Sequence, residues 1–102
     1  MIVWCENIIT VAGSEDAVFE FITNSKTKGF WPADRVNQEY VDPGRACYKF
    51  FTKNIPPIKW FNSLAKKNSD MEFVLRFEDP IGRYMGVMKG HDGTVSQQSI
   101  TY

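Results

Sequence analysis

Residues 71–78 read Met-Glu-Phe-Val-Leu-Arg-Phe-Glu, with Met71, Phe73, Leu75 and Phe77 alternating with Glu72, Val74, Arg76 and Glu78. Successive side chains of a strand point to opposite faces, so this segment has one apolar face and one mostly wet face. Strands of parallel sheets are covered on both faces and read as unbroken apolar runs, whereas antiparallel sheets can leave one face to water. The alternation therefore predicts an antiparallel sheet with one covered side, and the rest of the chain must supply the cover.

Two segments have the pattern to do so. Ser14 is a good helix N-cap, and Glu15 and Asp16 follow where the helix dipole favours anions. The helix runs to Ser25 or Lys26, with Ala17, Val18, Phe21 and Ile22 on one stripe. A second helix is expected over 57–67. Its apolar stripe is Trp60, Phe61, Leu64 and Ala65, and Lys59, Asn62, Ser63, Lys66 and Lys67 form its wet face. Residues 2–12 are rich in β-branched and aromatic types and read as a central strand, with Trp4 and Cys5 packed inside. Further strands are expected at 46–53, 83–89 and 94–102, with turns at Asp42-Pro43-Gly44, Asp79-Pro80-Ile81-Gly82 and Asp92-Gly93. Residues 30–45 show no period and read as an irregular loop. The order predicts one α+β domain over residues 1–102: a two-layer sandwich, with two helices on one face of a mostly antiparallel sheet. Its nearest common plan is ferredoxin-like.

Composition narrows what such a domain can do. The chain has 102 residues, 15% of them aromatic and 43% hydrophobic, and its net charge is zero. Each buried ring removes roughly 150–250 Å² from water, which suffices for one core and argues against disorder. No run of about 18 apolar residues predicts a membrane span. The opening residues lack the basic leader and long apolar run of an export signal, so a reduced, cytoplasmic setting is expected. Cys5, Cys47 and the single His91 do not make a zinc pattern, which needs four ligands. His91 lies in a Gly-His-Asp-Gly turn with no nucleophile motif nearby. No glycine spacing suits a phosphate loop. No catalytic residue, metal or cofactor is expected, and the chain is read as a non-enzyme.

Two blocks resemble a known family. Trp4-Cys5-Glu6-Asn7, the strand after it and Gly13 form the first. Tyr48, Phe50, Thr52, Pro56-Pro57, Trp60, Leu64-Ala65, Met71-Glu72-Phe73 and the Phe77–Pro80 stretch form the second. Together they resemble the Api-like proteins of phages and plasmids, described as carrying a ferredoxin-like domain. Ile2-Val3 departs from that family's usual opening, and segment 27–45 is short where the family often carries a long insertion. The resemblance implies a small α+β protein from a virus or mobile element, and no activity.

Charge and aromatic placement suggest two surfaces. Residues 1–25 have a net charge of −4, residues 26–67 of +6 and residues 68–102 of −2. The central zone holds Lys49, Lys53, Lys59, Lys66 and Lys67, a candidate phosphate-binding patch. An isoelectric point near 6.6 argues against a dedicated nucleic-acid binder. The segment 30–45 offers Trp31, Arg35, Tyr40 and Arg45, residue types that dominate binding hot spots. On this reading Trp31 and Tyr40 contribute to capture and not to stability. The expected function is that of a phage or mobile-element accessory protein, monomeric or weakly dimeric. It would bind and inhibit a host protein complex, such as a CRISPR–Cas effector, by steric or electrostatic blocking. The alternative is a nucleic-acid-binding accessory domain.

Overall fold

The computed structural model describes residues 3–102; Ile2, where the first strand is expected to begin, lies outside the described residues. The elements are β1 (Trp4–Ala12), α1 (Glu15–Ser25), β2 (Val36–Asp42), β3 (Arg45–Lys53), α2 (Ile58–Lys67), β4 (Glu72–Asp79), β5 (Tyr84–His91) and β6 (Thr94–Thr101). The six strands form one sheet in the order β2-β3-β1-β4-β5-β6, and every neighbouring pair is antiparallel. Both helices lie on one face, so the molecule is an α+β sandwich of two layers. A ferredoxin-like sheet has four strands; the observed order differs from it because β5 and β6 extend the sheet beyond β4.

Local chemistry sets the element ends. The Ser14 hydroxyl accepts from the Ala17 N–H at 3.1 Å, capping α1. Gly44 takes φ +79°, the left-handed value needed at the second central position of the turn joining β2 to β3. Asp92 and Gly93, at φ 52° and 78°, form the β5–β6 hairpin turn.

The core lies between the sheet and the helices. Cys5, Asn7, Ile9 and Val11 of β1 share it with Ala46, Tyr48 and Phe50 of β3, and with Phe73, Leu75 and Phe77 of β4. Phe21 of α1 and Phe61 of α2 both meet the Phe73 ring, with centroids 5.8 and 6.5 Å away. Close approach of α2 depends on Gly90 of β5: a Cβ there would lie 2.7 Å from the Ala65 Cβ. Cys5 and Cys47 are buried free thiols.

Two expectations are corrected here. The 30–45 segment is not an irregular loop throughout, because β2 occupies 36–42 as an edge strand. Only Val36 in β2 is even half-buried, so no alternation marks it; backbone pairing to β3 holds it in place. Trp4 is not packed inside: it is 49% exposed. β1 is central as expected, but the helices cover only one face of it. Cys5, Asn7 and Ile9 take that face, and Trp4, Glu6 and Ile8 take the other.

Candidate functional site

β2 pairs with β3 only as far as Val36 opposite Phe50. Beyond that point Phe51, Thr52 and Lys53 have no strand partner on the β2 side among the described residues. Residues 26–35, which lead from α1 to β2, run past this free end of β3. The gap between them is a groove of about 1370 Å³. Lys26, Lys28, Arg35 and Lys53 line it against a single carboxylate, Asp34. Aromatic rings complete the walls: Trp31 and Tyr48 on the helix side, Trp4 and Phe51 at the uncovered face of the sheet.

Two indole hydrogen bonds hold the 26–35 side of the groove in place. Trp31 Nε1 donates to the Ser25 carbonyl at 3.0 Å, and Trp60 Nε1 of α2 donates to the Phe30 carbonyl at 2.9 Å. The Trp31 ring packs against Phe21, Phe30, Tyr48, Phe50 and Trp60, at centroid distances of 4.8–6.3 Å. Beneath it, the Tyr48 hydroxyl is buried without a well-formed hydrogen bond. Ser25 lies beside it, but the Ser25 hydroxyl donates to the Ile22 carbonyl at 2.7 Å. Burial raises the Tyr48 pKa above the ordinary phenol value, opposed by Ser25.

A buried polar network closes the floor near the free end of β3. Asn7 is fully buried, and its Nδ2 donates to the Cys5 carbonyl and to Thr52 Oγ1, both at 3.1 Å. Thr52 Oγ1 in turn donates to the Ile55 carbonyl at 2.7 Å. Burial is also the largest influence on Cys5 and raises its pKa above the ordinary thiol value. The nearby Asp79 charge adds to that, while hydrogen bonding at Thr52 and Glu78 opposes it. A thiol held protonated is a poor nucleophile.

The structure brings together some of the residues expected at a partner site and separates others. Trp31 and Arg35 line the groove; Tyr40 and Arg45 do not. Tyr40 sits on the edge strand opposite Cys47, on the uncovered face, and Arg45 begins β3 at its far end. Trp31 is also a packing residue, contrary to a role in capture alone. The lysine zone divides as well. Lys49 and Lys53 are on the uncovered face of β3, paired in register with Ile8 and Trp4. Lys59, Lys66 and Lys67 are on the outer face of α2, across the sheet from them. They do not form one patch, because strand alternation and helix placement send them to opposite sides.

Composition did not single out Trp4, Lys26 or Lys28. Trp4 and Phe51 stand on neighbouring strands of the uncovered face, at 49% and 43% exposure. Lys53 lies over the Trp4 ring at 5.8 Å and Lys49 over the Phe51 ring at 5.9 Å. Glu6 lies between them and reaches Lys49 at 3.8 Å, a surface ion pair of small energetic weight. At the opposite end of the sheet, His91 is exposed, with Nδ1 2.9 Å from Glu72 and Nε2 3.1 Å from Asp92. Both ring nitrogens are thus engaged by carboxylates. No group of three or more metal-ligating side chains occurs among the described residues, and no helix is long and apolar enough to cross a membrane. Comparison with protein-family models, with curated proteins and with solved structures gives no match.

Proposed function

We propose that the chain is a non-enzymatic binding domain that captures an acidic partner at the groove beside the free end of β3. The observation that carries this reading is the groove's lining: four cations against one carboxylate, set among aromatic rings. Arg and Trp are the side chains that most often anchor protein interfaces. Complementary charge speeds encounter and selects the partner without any reacting group. In its most specific form, the partner is a host protein complex of the CRISPR–Cas kind. The domain then acts in the host cytoplasm as a phage or mobile-element inhibitor that blocks an approach path. The same proposal includes kinship with the Api-like proteins, with residues 4–79 as a ferredoxin-like unit and β5–β6 as an added hairpin.

A second reading has its own support. Trp4 and Phe51 stand diagonally on neighbouring strands of the uncovered face, two residues apart in register, with Lys53 and Lys49 over their rings. Sheets that bind single-stranded nucleic acid stack bases on exposed aromatics of this type.

One experiment separates the readings. The wild-type chain and an Arg35→Glu/Lys53→Glu variant are used to capture partners from host cells, and the captured complex is then purified and titrated directly. The first reading expects one stoichiometric protein complex, with at least tenfold weaker binding by the variant. Equal binding by the variant overturns the groove assignment. Binding of a labelled oligonucleotide that collapses between 50 and 200 mM salt favours the second reading. Substrate turnover by the purified chain overturns both.

A further inference from the structure

The two edges of the sheet are defended unequally. β2 has a bulge between Gln38 and Tyr40 and carries the carboxylates Glu39 and Asp42. Bulges and charges are the usual means by which an edge avoids pairing with another chain. β6 has neither. Its eight residues, Thr-Val-Ser-Gln-Gln-Ser-Ile-Thr, contain no charge, proline or glycine. They pair with β5 in unbroken register, and all but Val95 are exposed. The outer side of β6, an edge without a strand partner among the described residues, therefore presents a row of outward N–H and C=O groups, about 27 Å long at roughly 3.4 Å per residue.

We propose that β6 pairs antiparallel with β6 of a second copy of this chain, merging two six-stranded sheets into one. This holds whatever occupies the groove, which lies at the other end of the sheet. A second copy fits for three reasons. An edge strand meeting itself across a two-fold axis closes after two subunits and needs no complementary surface elsewhere. The chain's net charge is zero, so no long-range repulsion opposes approach of the copies. And with no charge in β6, no register sets like charges opposite each other.

Pleating limits the register. Residues directly opposite in an antiparallel pair share a sheet face, so a two-fold axis through the strand's middle passes at Gln97 or at Gln98. With the axis at Gln97, Ser96 of one copy stands opposite Gln98 of the other. With the axis at Gln98, the two Gln98 residues meet, and Ser96 stands opposite Ile100, which is 59% exposed in the single chain. An edge-only contact falls at the small end of interface sizes, so the dimer forms in a concentration-dependent way over roughly micromolar to millimolar protein.

Sedimentation equilibrium of the full chain tests this. The expected result is a mass rising with concentration from 11.8 kDa toward twice that value and no further. In a Ser96→Glu/Gln98→Glu variant, carboxylates meet across the axis in either register. Within the chain, position 96 faces Lys89 and position 98 faces Val87, both compatible with a carboxylate. Dimerisation should weaken at least tenfold while the far-UV spectrum and melting temperature hold. Mixing this variant with Ser96→Lys/Gln98→Lys should restore the dimer. Variants that each add one exposed cysteine, Gln97→Cys and Gln98→Cys, to the buried Cys5 and Cys47 give a check that does not depend on the charged pair folding: the one at the axis should cross-link on oxidation, and the wild-type chain should not. A monomer throughout, a dimer untouched by the paired carboxylates, or growth past two copies overturns the proposal.

Discussion

The indole Nε1 of Trp60 on α2 donates to the main-chain carbonyl of Phe30, 30 residues earlier, at 2.9 Å. This bond ties the second helix to the segment that walls the groove, so the groove's shape depends on a helix that does not line it. Trp60→Phe keeps most of the ring contact but leaves the Phe30 carbonyl unpaired. A loss of about 1–2 kcal/mol is expected. Hydrogen exchange should quicken across residues 26–35, while β1 and β4 stay protected. Unchanged exchange in that segment would show that Trp31 alone holds it.

Trp31 and Tyr40 are close in sequence but have different burdens. Trp31 touches five aromatic rings; Tyr40 is 40% exposed on an edge strand. Trp31→Ala should therefore cost about 3 kcal/mol, the lower part of the range for truncated core aromatics because the ring is partly exposed. Tyr40→Ala should stay within about 0.5 kcal/mol. Urea denaturation of the two variants measures both. Equal costs would contradict the packing assigned to Trp31.

Asn7 is a fully buried amide whose Nδ2 bonds to the Cys5 carbonyl and the Thr52 hydroxyl. Asn7→Asp replaces that donor with a carboxyl group that burial will hold protonated. Its pKa is then raised in the fold, so stability relative to wild type is fullest below the ordinary carboxyl value near 4 and falls as pH rises. The variant should lose about 3 kcal/mol or more against wild type at pH 7, and clearly less at pH 4. A pH-independent difference between the two proteins would mean that water reaches position 7.

Alkaline pH should weaken the native protein for a related reason. Burial raises both Cys5 and Tyr48 above their ordinary values. Above pH 8.5 to 10 the unfolded chain gives up these protons first, so stability is whole below that range and falls as pH rises through the folded-state values. Melting temperature should drop between about pH 9 and 11. Tyr48→Phe should lessen the drop, and a Tyr48→Phe curve parallel to wild type would remove Tyr48 as a cause.

Much of the architecture is legible in one dimension. The alternation of Met71 to Phe77 forecasts a one-sided antiparallel sheet, and Ser14 with its two acidic followers marks where α1 begins. Phe21, Phe61, Leu64 and Ala65 are buried, as their helical spacing requires. These features are local: a period of 2 or 3.6 and a capping hydroxyl depend only on near neighbours.

What the sequence concealed is what depends on the partner across a gap. β2 is held by backbone bonds to β3, which leave no trace in polar, exposed side chains. Whether Trp4 faces the core or water turned on which face of β1 the helices cover, and nothing in residues 2–12 records that. The groove exists because β2 stops at Val36 while β3 continues to Lys53, and its four cations come from segments up to 27 residues apart. By itself the sequence determined both helices, five of the six strands and the apolar faces of α1, α2 and β4, since periodicity and capping are short-range. Only the tertiary structure decided which edge lies open and which charges meet, because those depend on strand length and pairing between distant parts of the chain.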